Sequence, residues 1–283
     1  MRRLLVLGSW ILVMLCKPGL PAQAELPSAE QALKQYVPIH RDVDIDQPDA
    51  AEAAQCKISA RKVDGKTAVA IESPAGLLLR LFVDVDGNGV VDQWRYFKDG
   101  LEVYRDIDSN GNNRADQYRW FHGAGSRWGI DRDENGTVDY WKTISAEEAS
   151  AEIVAALAEK DVARFVRVAL SPAELKSLGL GAEKTKSLTE RLTGLQEEFQ
   201  RLMQKQRMVG PATKWVQFSA SRPGTVPAGT NGSINDLQVY ENVVAITETD
   251  GVNGQVQIGT LVKVGETWRA IQLPVPVEDG QHE

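Results

Sequence analysis

Cysteine is nearly absent from the 283 residues: the chain has two, Cys16 and Cys56, and no Cys-x-x-Cys. Dithiol redox chemistry, which needs a closely spaced thiol pair, is thereby excluded. Histidine is almost as scarce, with His40, His122 and His282 the three in the chain. None of them sits in a recognisable triad setting. Gly-x-Ser-x-Gly, His-Glu-x-x-His and a phosphate-cradling glycine loop are all missing. No catalytic residue is assigned, and the sequence reads as a non-enzyme. Positive charge is in deficit, with 32 Lys and Arg against 39 Asp and Glu and a formal net charge of −7. Nucleic acid is a poor partner for such a chain, whereas cations are good ones.

Long apolar runs are lacking except at the start. Met1-Arg2-Arg3 forms a basic end, residues 4–15 an apolar stretch, and Ala22-Gln23-Ala24 a small-x-small cleavage site. This is the pattern of a secretory signal over residues 1–24, and its apolar stretch is too short to span a bilayer. The expectation is an exported protein, periplasmic, envelope-bound or extracellular, with no membrane span after cleavage. Residues 1–24 hold three basic residues (Arg2, Arg3, Lys17) and no acid, so cleavage moves the net charge from −7 to −10. Leu15 before Cys16 argues against a lipoprotein site. Cys56, alone in the mature chain, is then a buried small hydrophobe, the favoured reading, or a thiol open to another chain. Residues 25–50 read as a linker. Their acidic run Asp42-Val43-Asp44-Ile45-Asp46 lacks a glycine and is expected to be an exposed strand or linker.

What the chain does have, at 42% apolar and 25% charged residues, is enough to fold, and its first half repeats. Asp84-Val-Asp86-Gly-Asn88-Gly89-Val90-Val-Asp92 recurs as Asp108-Ser-Asn110-Gly-Asn112-Asn113-Arg-Ala-Asp116. It recurs again as Asp131-Arg-Asp133-Glu-Asn135-Gly136-Thr137-Val-Asp139. Position 6 is Gly or Asn, types that tolerate the left-handed backbone of a tight loop. Oxygens at positions 1, 3, 5 and 9, with the carbonyl of position 7, can converge on a hard cation, and calcium prefers such cages.

In the first loop the ligands would be Asp84, Asp86, Asn88 and Asp92, with the Val90 carbonyl. In the third they would be Asp131, Asp133, Asn135 and Asp139, with the Thr137 carbonyl. The second, Asp108, Asn110, Asn112 and Asp116, carries two carboxylates instead of three and should bind more weakly. The alternative is that all three are plain hairpin turns whose Asp and Asn side chains satisfy nearby backbone groups.

A β-prone stretch precedes each loop (79–83, 101–107, 127–130) and an aromatic one follows (93–97, 117–121, 140–142). The setting is therefore strand, loop, strand. A helical EF-hand also needs Glu at position 12, where this chain has Arg95, Arg119 and Lys142. The loops resemble instead the β-hairpin calcium loop of integrin-type propeller blades, which has no twelfth ligand. The aromatics are expected to pack a sheet; a sugar-binding stripe would need Trp94, Trp120, Trp128 and Trp141 exposed. Residues 56–63 and 66–71, joined by Asp64-Gly65, make one more hairpin, so residues 51–144 form a hairpin region.

From Ser145 the period changes. Ser145-Ala-Glu-Glu148 is a capping box opening a helix to about Lys160, Asp161 caps another, and Ser171-Pro172-Ala-Glu174 is a second box. Leu188, Leu192, Leu195, Phe199 and Leu202 then predict one helix that stops near Gly210-Pro211. Residues 215–218, 237–240, 243–249, 256–264 and 268–273 predict strands, with 221–236 a long loop and a candidate binding lip. Residues 145–277 therefore form a second domain, with 278–283 a tail. The fold class is α+β, a hairpin array followed by helices and then an antiparallel sheet.

The ending, residues 259–274, resembles the last hairpin of cone-shaped, nuclear-transport-factor-2-like domains. A wider resemblance runs from about residue 36 to 274. Arg80-Leu-Phe-Val-Asp84, Val91-Asp-Gln-Trp94, Ala115-Asp-Gln-Tyr-Arg-Trp120, Arg127-Trp-Gly-Ile-Asp-Arg-Asp133 and Leu175-Lys-Ser-Leu-Gly-Leu-Gly181 are similar to the amino-terminal accessory region of exported bacterial redoxin proteins. In that family a thioredoxin-like domain follows; this chain carries no cysteine motif to match it. The resemblance implies an accessory module with a protein or small-ligand partner, such as a redoxin-type protein, and licenses no thiol activity. Two functions are expected: a non-catalytic exported calcium-binding module, or a redoxin-associated envelope protein assisting thiol chemistry or binding a small ligand in its second half.

Overall fold

The computed structural model describes residues 26–121 and 127–277. The expected signal segment, His122 and the tail with His282 lie outside them. The chain divides into two compact units, one of residues 1–123 with 128–140, the other of 124–127 with 141–283.

The first unit is built on hairpins. Alternating apolar residues form β1 (Lys57–Val63) and β2 (Lys66–Glu72), turned by Asp64 and Gly65 at φ 50° and 77°, the double left-handed turn that matches strand twist. There follow β3 (Leu78–Asp84), β4 (Gln93–Lys98), β5 (Leu101–Ile107), β6 (Gln117–Trp120), β7 (Arg127–Ile130) and β8 (Tyr140–Thr143). They lie in sequence order in one eight-stranded sheet.

Directly paired residues share a face. Tyr96, Tyr104 and Trp120 are in register on one side, as are Trp94, Asp106 and Tyr118. On that face Tyr96, Tyr104, Tyr118 and Trp120 are buried. The His40 ring caps it, edge-on to Tyr118 at 4.5 Å and Trp120 at 4.9 Å, with Nδ1 2.8 Å from the Tyr104 hydroxyl.

Residues 26–50 are more than a linker. Ser28 makes a capping box that opens α1 (Ala29–Gln35), and Ala29, Ala32 and Leu33 enter the core with Val69, Ile71 and Phe82. In the acidic run, Val43 and Ile45 are buried while Asp44 and Asp46 pair with Lys98. The alternation that lacked a glycine is an inward–outward one. After a short α2 (Ala50–Ala53), Cys56 is half-buried against the core rather than enclosed. Its S–H donates to the Glu52 carbonyl at 3.4 Å. Burial and the Glu52 charge push the thiol upward, away from nucleophilic thiolate.

The second unit follows the capping signals. Ser145 and Glu148 close the box on α3 (Ala146–Glu159), Asp161 caps α4 (Val162–Val166), and Ser171 and Glu174 open α5 (Pro172–Ser177). The single long helix expected next is two, α6 (Ala182–Leu192) and α7 (Leu195–Lys205). The break is backbone chemistry: Thr193 is extended and Gly194 takes φ 83°, so the apolar stripe changes direction. Leu188 then joins Leu175 and Leu178 in one cluster, while Phe199 stacks on Phe165 of α4 at 4.0 Å and 8°.

The sheet of this unit is curled and antiparallel. Its centre is the long pair β11 (Leu237–Thr249) and β12 (Val252–Val264). A bulge between Tyr240 and Val244 bends β11, so the two stretches expected as separate strands are one. β9 (Lys214–Ser219) and β10 (Gly224–Val226) flank β11, and β13 (Thr267–Ala270) and β14 (Val275–Val277) flank β12. β10 lies inside the segment expected as a loop. Arg127 and Arg164 pair with the buried Glu152 of α3, and Arg269 of β13 with Glu174. Among the described residues no helix is long and apolar enough to cross a membrane.

Candidate metal loops

Each loop closes the same way. The ninth residue donates its N–H to the residue before the first: Asp92 to Val83, Asp116 to Ile107 and Asp139 to Ile130, at 2.8 to 2.9 Å. Successive loops are also tied side by side, since Asp108 N–H donates to the Asp92 carbonyl and Asp131 N–H to that of Asp116, both at 2.9 Å. The hairpin register thus sets the carboxylates in a row along one end of the sheet.

Inside the first loop, Asp84 accepts from Gly87 N at 2.7 Å and Gly89 N at 3.0 Å, and Asp92 accepts from Val85 N at 2.6 Å. Asp86 accepts from Asn88 N at 3.0 Å, and Asn88 Oδ1 from Val90 N at 2.7 Å. In the third, Asp131 accepts from Gly136 N at 2.7 Å, Asp139 from Arg132 N at 2.7 Å, and Asn135 from Thr137 N at 2.8 Å. Carboxylate and amide oxygens each have a second lone pair, so these bonds leave room for a cation. Asp84, Asp86 and Asp92 each offer an oxygen within 4.8 Å of the others, and so do Asp131, Asp133 and Asp139. These two triads can hold a metal ion.

Burial sharpens the electrostatics. Asp84 is 2% exposed and Asp131 fully buried. Burial raises the Asp92 carboxyl against the pull of the Val85 and Asp86 amides, and the charges of Asp86 and Asp84 raise it further. Burial likewise raises Asp131, against hydrogen bonds from the Tyr118 hydroxyl and the Gly136 and Asn135 amides. Acids that repel one another in a partly dry site gain most from a divalent counter-charge.

The second loop differs. Asp108 accepts from Gly111 N at 2.8 Å and Asn113 N at 2.7 Å, and Asp116 from Ser109 N at 2.9 Å. Asn110 Oδ1 accepts from Asn112 N at 3.0 Å. Glu134 of the neighbouring loop reaches across to it: Glu134 Oε1 accepts from Asn110 Nδ2 at 3.0 Å and Asn112 Nδ2 at 2.6 Å. Those two bonds hold the Glu134 carboxyl below its ordinary value. Sequence reasoning passed over Glu134. The signal was position 4, which is Gly87, Gly111 and then Glu134, all three left-handed at φ 83°, 75° and 56°.

Outside the loops, Asp106 is the buried acid of the aromatic face. Burial pushes it up to about 7 against hydrogen bonds from the Tyr104 hydroxyl and the Ile39 amide. Of the four tryptophans a sugar stripe would need, Trp120 and Trp141 are buried, so that row does not form. No family model, no curated protein and no solved structure matches this chain.

Proposed function

We propose that the protein is an exported, non-catalytic calcium-binding module in which the ions are structural. The observation that carries this is the convergence of Asp84 with Asp86 and Asp92, and of Asp131 with Asp133 and Asp139, each triad within 4.8 Å on a strand–loop–strand frame. Calcium takes six to eight oxygens at about 2.3–2.6 Å, more than magnesium and in looser geometry, and this donor set is all oxygen. The side chains of Asn88 and Asn135 and the carbonyls of Val90 and Thr137 complete the first and third sites. Asp108, Asn110, Asn112 and Asp116 make the weaker second one, and Glu134 of the third loop holds the two asparagine amides in place. The ions neutralise loop carboxylates and fix hairpin register, and the protein serves a partner, of which a redoxin-type protein is the one the sequence resemblance suggests.

The test is thermal. Replacing Asp84 and Asp131 with Asn keeps the shape and removes the charge, but turns one accepting oxygen of each into a donor facing a loop N–H. The double variant should therefore lose stability in both buffers, and several degrees more in calcium than in chelator. Equal losses in both buffers would mean that the two acids stabilise through their N–H bonds alone.

A further inference from the structure

The twelfth position of each repeat, where a helical calcium loop would carry Glu, is basic. The sheet shows where two of those residues go. Arg95 of β4 is directly opposite Arg105 of β5, and Arg105 is directly opposite Arg119 of β6. Three arginines therefore stand in one cross-strand row on the face away from Tyr96, Tyr104 and Trp120, at the strand spacing of about 4.8 Å.

Like charges placed opposite one another cost stability. Burial and then the Arg105 charge lower both Arg95 and Arg119. Glu102 offsets part of this, taking two hydrogen bonds from Arg105 at 2.7 and 3.0 Å, while Arg95 donates two to the neutral Gln93 Oε1 at 3.1 and 2.8 Å, which a carboxylate can displace. That pair also shows how the row holds a carboxylate, edge to edge across both guanidinium nitrogens. All three arginines are half-buried, so a ligand there would be partly desolvated.

We propose that this face docks a short acidic polypeptide segment whose Asp or Glu carboxylates pair with Arg95, Arg105 and Arg119. The partner class follows from charge and ring geometry. An extended peptide presents same-side side chains about 6.6 Å apart, a mismatch with the row that flexible arginine arms absorb. A single nucleic-acid strand would need open aromatic faces for its bases. Here Arg105 and Arg119 lie over Phe121 at 5.3 and 4.9 Å, and Arg119 over Trp128 at 4.5 Å, so those rings are already covered. A long polyanion would also feel the whole molecule's net charge of −7. A few carboxylates within a Debye length of about 10 Å feel chiefly the row, whose three charges outnumber the two of Glu102 and Asp64 beside it.

The inference stands without bound metal, and the experiment is fluorescence anisotropy with a labelled Glu-Asp hexapeptide, run both in calcium and in chelator. The same peptide with Gln and Asn, an oligonucleotide and an acidic oligosaccharide of equal charge serve as comparisons. The acidic peptide should bind, weaken with salt, and lose on the order of tenfold in affinity in the Arg95→Gln, Arg119→Gln double variant, checked as folded by circular dichroism. Glu102→Gln, which releases Arg105, should tighten binding several-fold; a fold defect could not do that. Equal binding of the amide peptide, indifference to both variants, or tighter binding of the oligonucleotide or oligosaccharide would overturn the proposal. Peptide binding that is equal in calcium and in chelator supports this proposal and leaves the metal reading to its own melting test.

Discussion

Glu134 and Glu174 are both part-exposed acids whose neighbours settle their charge. Glu134 is held below its ordinary value by two asparagine amides. Glu174 is half-buried. Burial pulls it upward, but the Arg269 charge and the Ser171 N–H and hydroxyl outweigh that and leave it below its ordinary value. An acid depressed in the folded state gives stability that is complete above its unfolded value, about 4.3, and lost as pH falls through the folded one. The account therefore predicts an acid limb in chelator below about pH 4.5, to which Glu174 contributes. Denaturant melts of Glu174→Gln across pH 3 to 6 should show a shallower limb; an unchanged slope would remove Glu174 from it. Glu134 also marks where residue-level reading stops. Its position in the repeat was legible, but the reach of its side chain to Asn110 and Asn112 depends on two loops lying side by side. That is a property of register between β5, β6 and β7, which no single loop encodes.

Among the elements, the strands around the loops were legible to within a residue at each end. β5 and β7 begin and end where alternation and turn signals put them. The three loop frames were legible because Asp, Asn and Gly there are dictated by backbone conformation, whatever fills the centre. The stripe from Leu188 to Leu202 was read as one helix because Thr and Gly at 193 and 194 do not interrupt its apolar spacing. What decides is Gly194, whose left-handed φ of 83° turns α7 toward α4. Phe199 is the anchor of that arrangement, fully buried and stacked on Phe165. Phe199→Ala should therefore cost about 3–5 kcal/mol, as large-to-small core changes do. Leu202→Ala, on the same helix and half-exposed, should cost clearly less. Equal costs in urea titrations would place Leu202 in the core as well. β10 and β14, of three residues each, carry too little pattern to separate from loop.

At the scale of the whole molecule, the chain is acidic overall and locally sorted. A group of its carboxylates lies in loops along one end of the first unit's sheet, and three arginines stand in a row on one face of the same sheet. Positions 1 and 9 of the repeat set the loops, position 12 puts Arg95 and Arg119 on the face, and the strand register brings Arg105 between them. The central claim is that the loop end is a calcium-binding array, and calorimetric titration of the metal-stripped protein with calcium, with magnesium as the control, addresses it most directly. The account predicts two calcium sites, from the first and third loops, a weaker third, and little response to magnesium. Absence of any calcium heat at millimolar concentration, the weak end of the range for extracellular modules, would contradict it and leave the loops as turns.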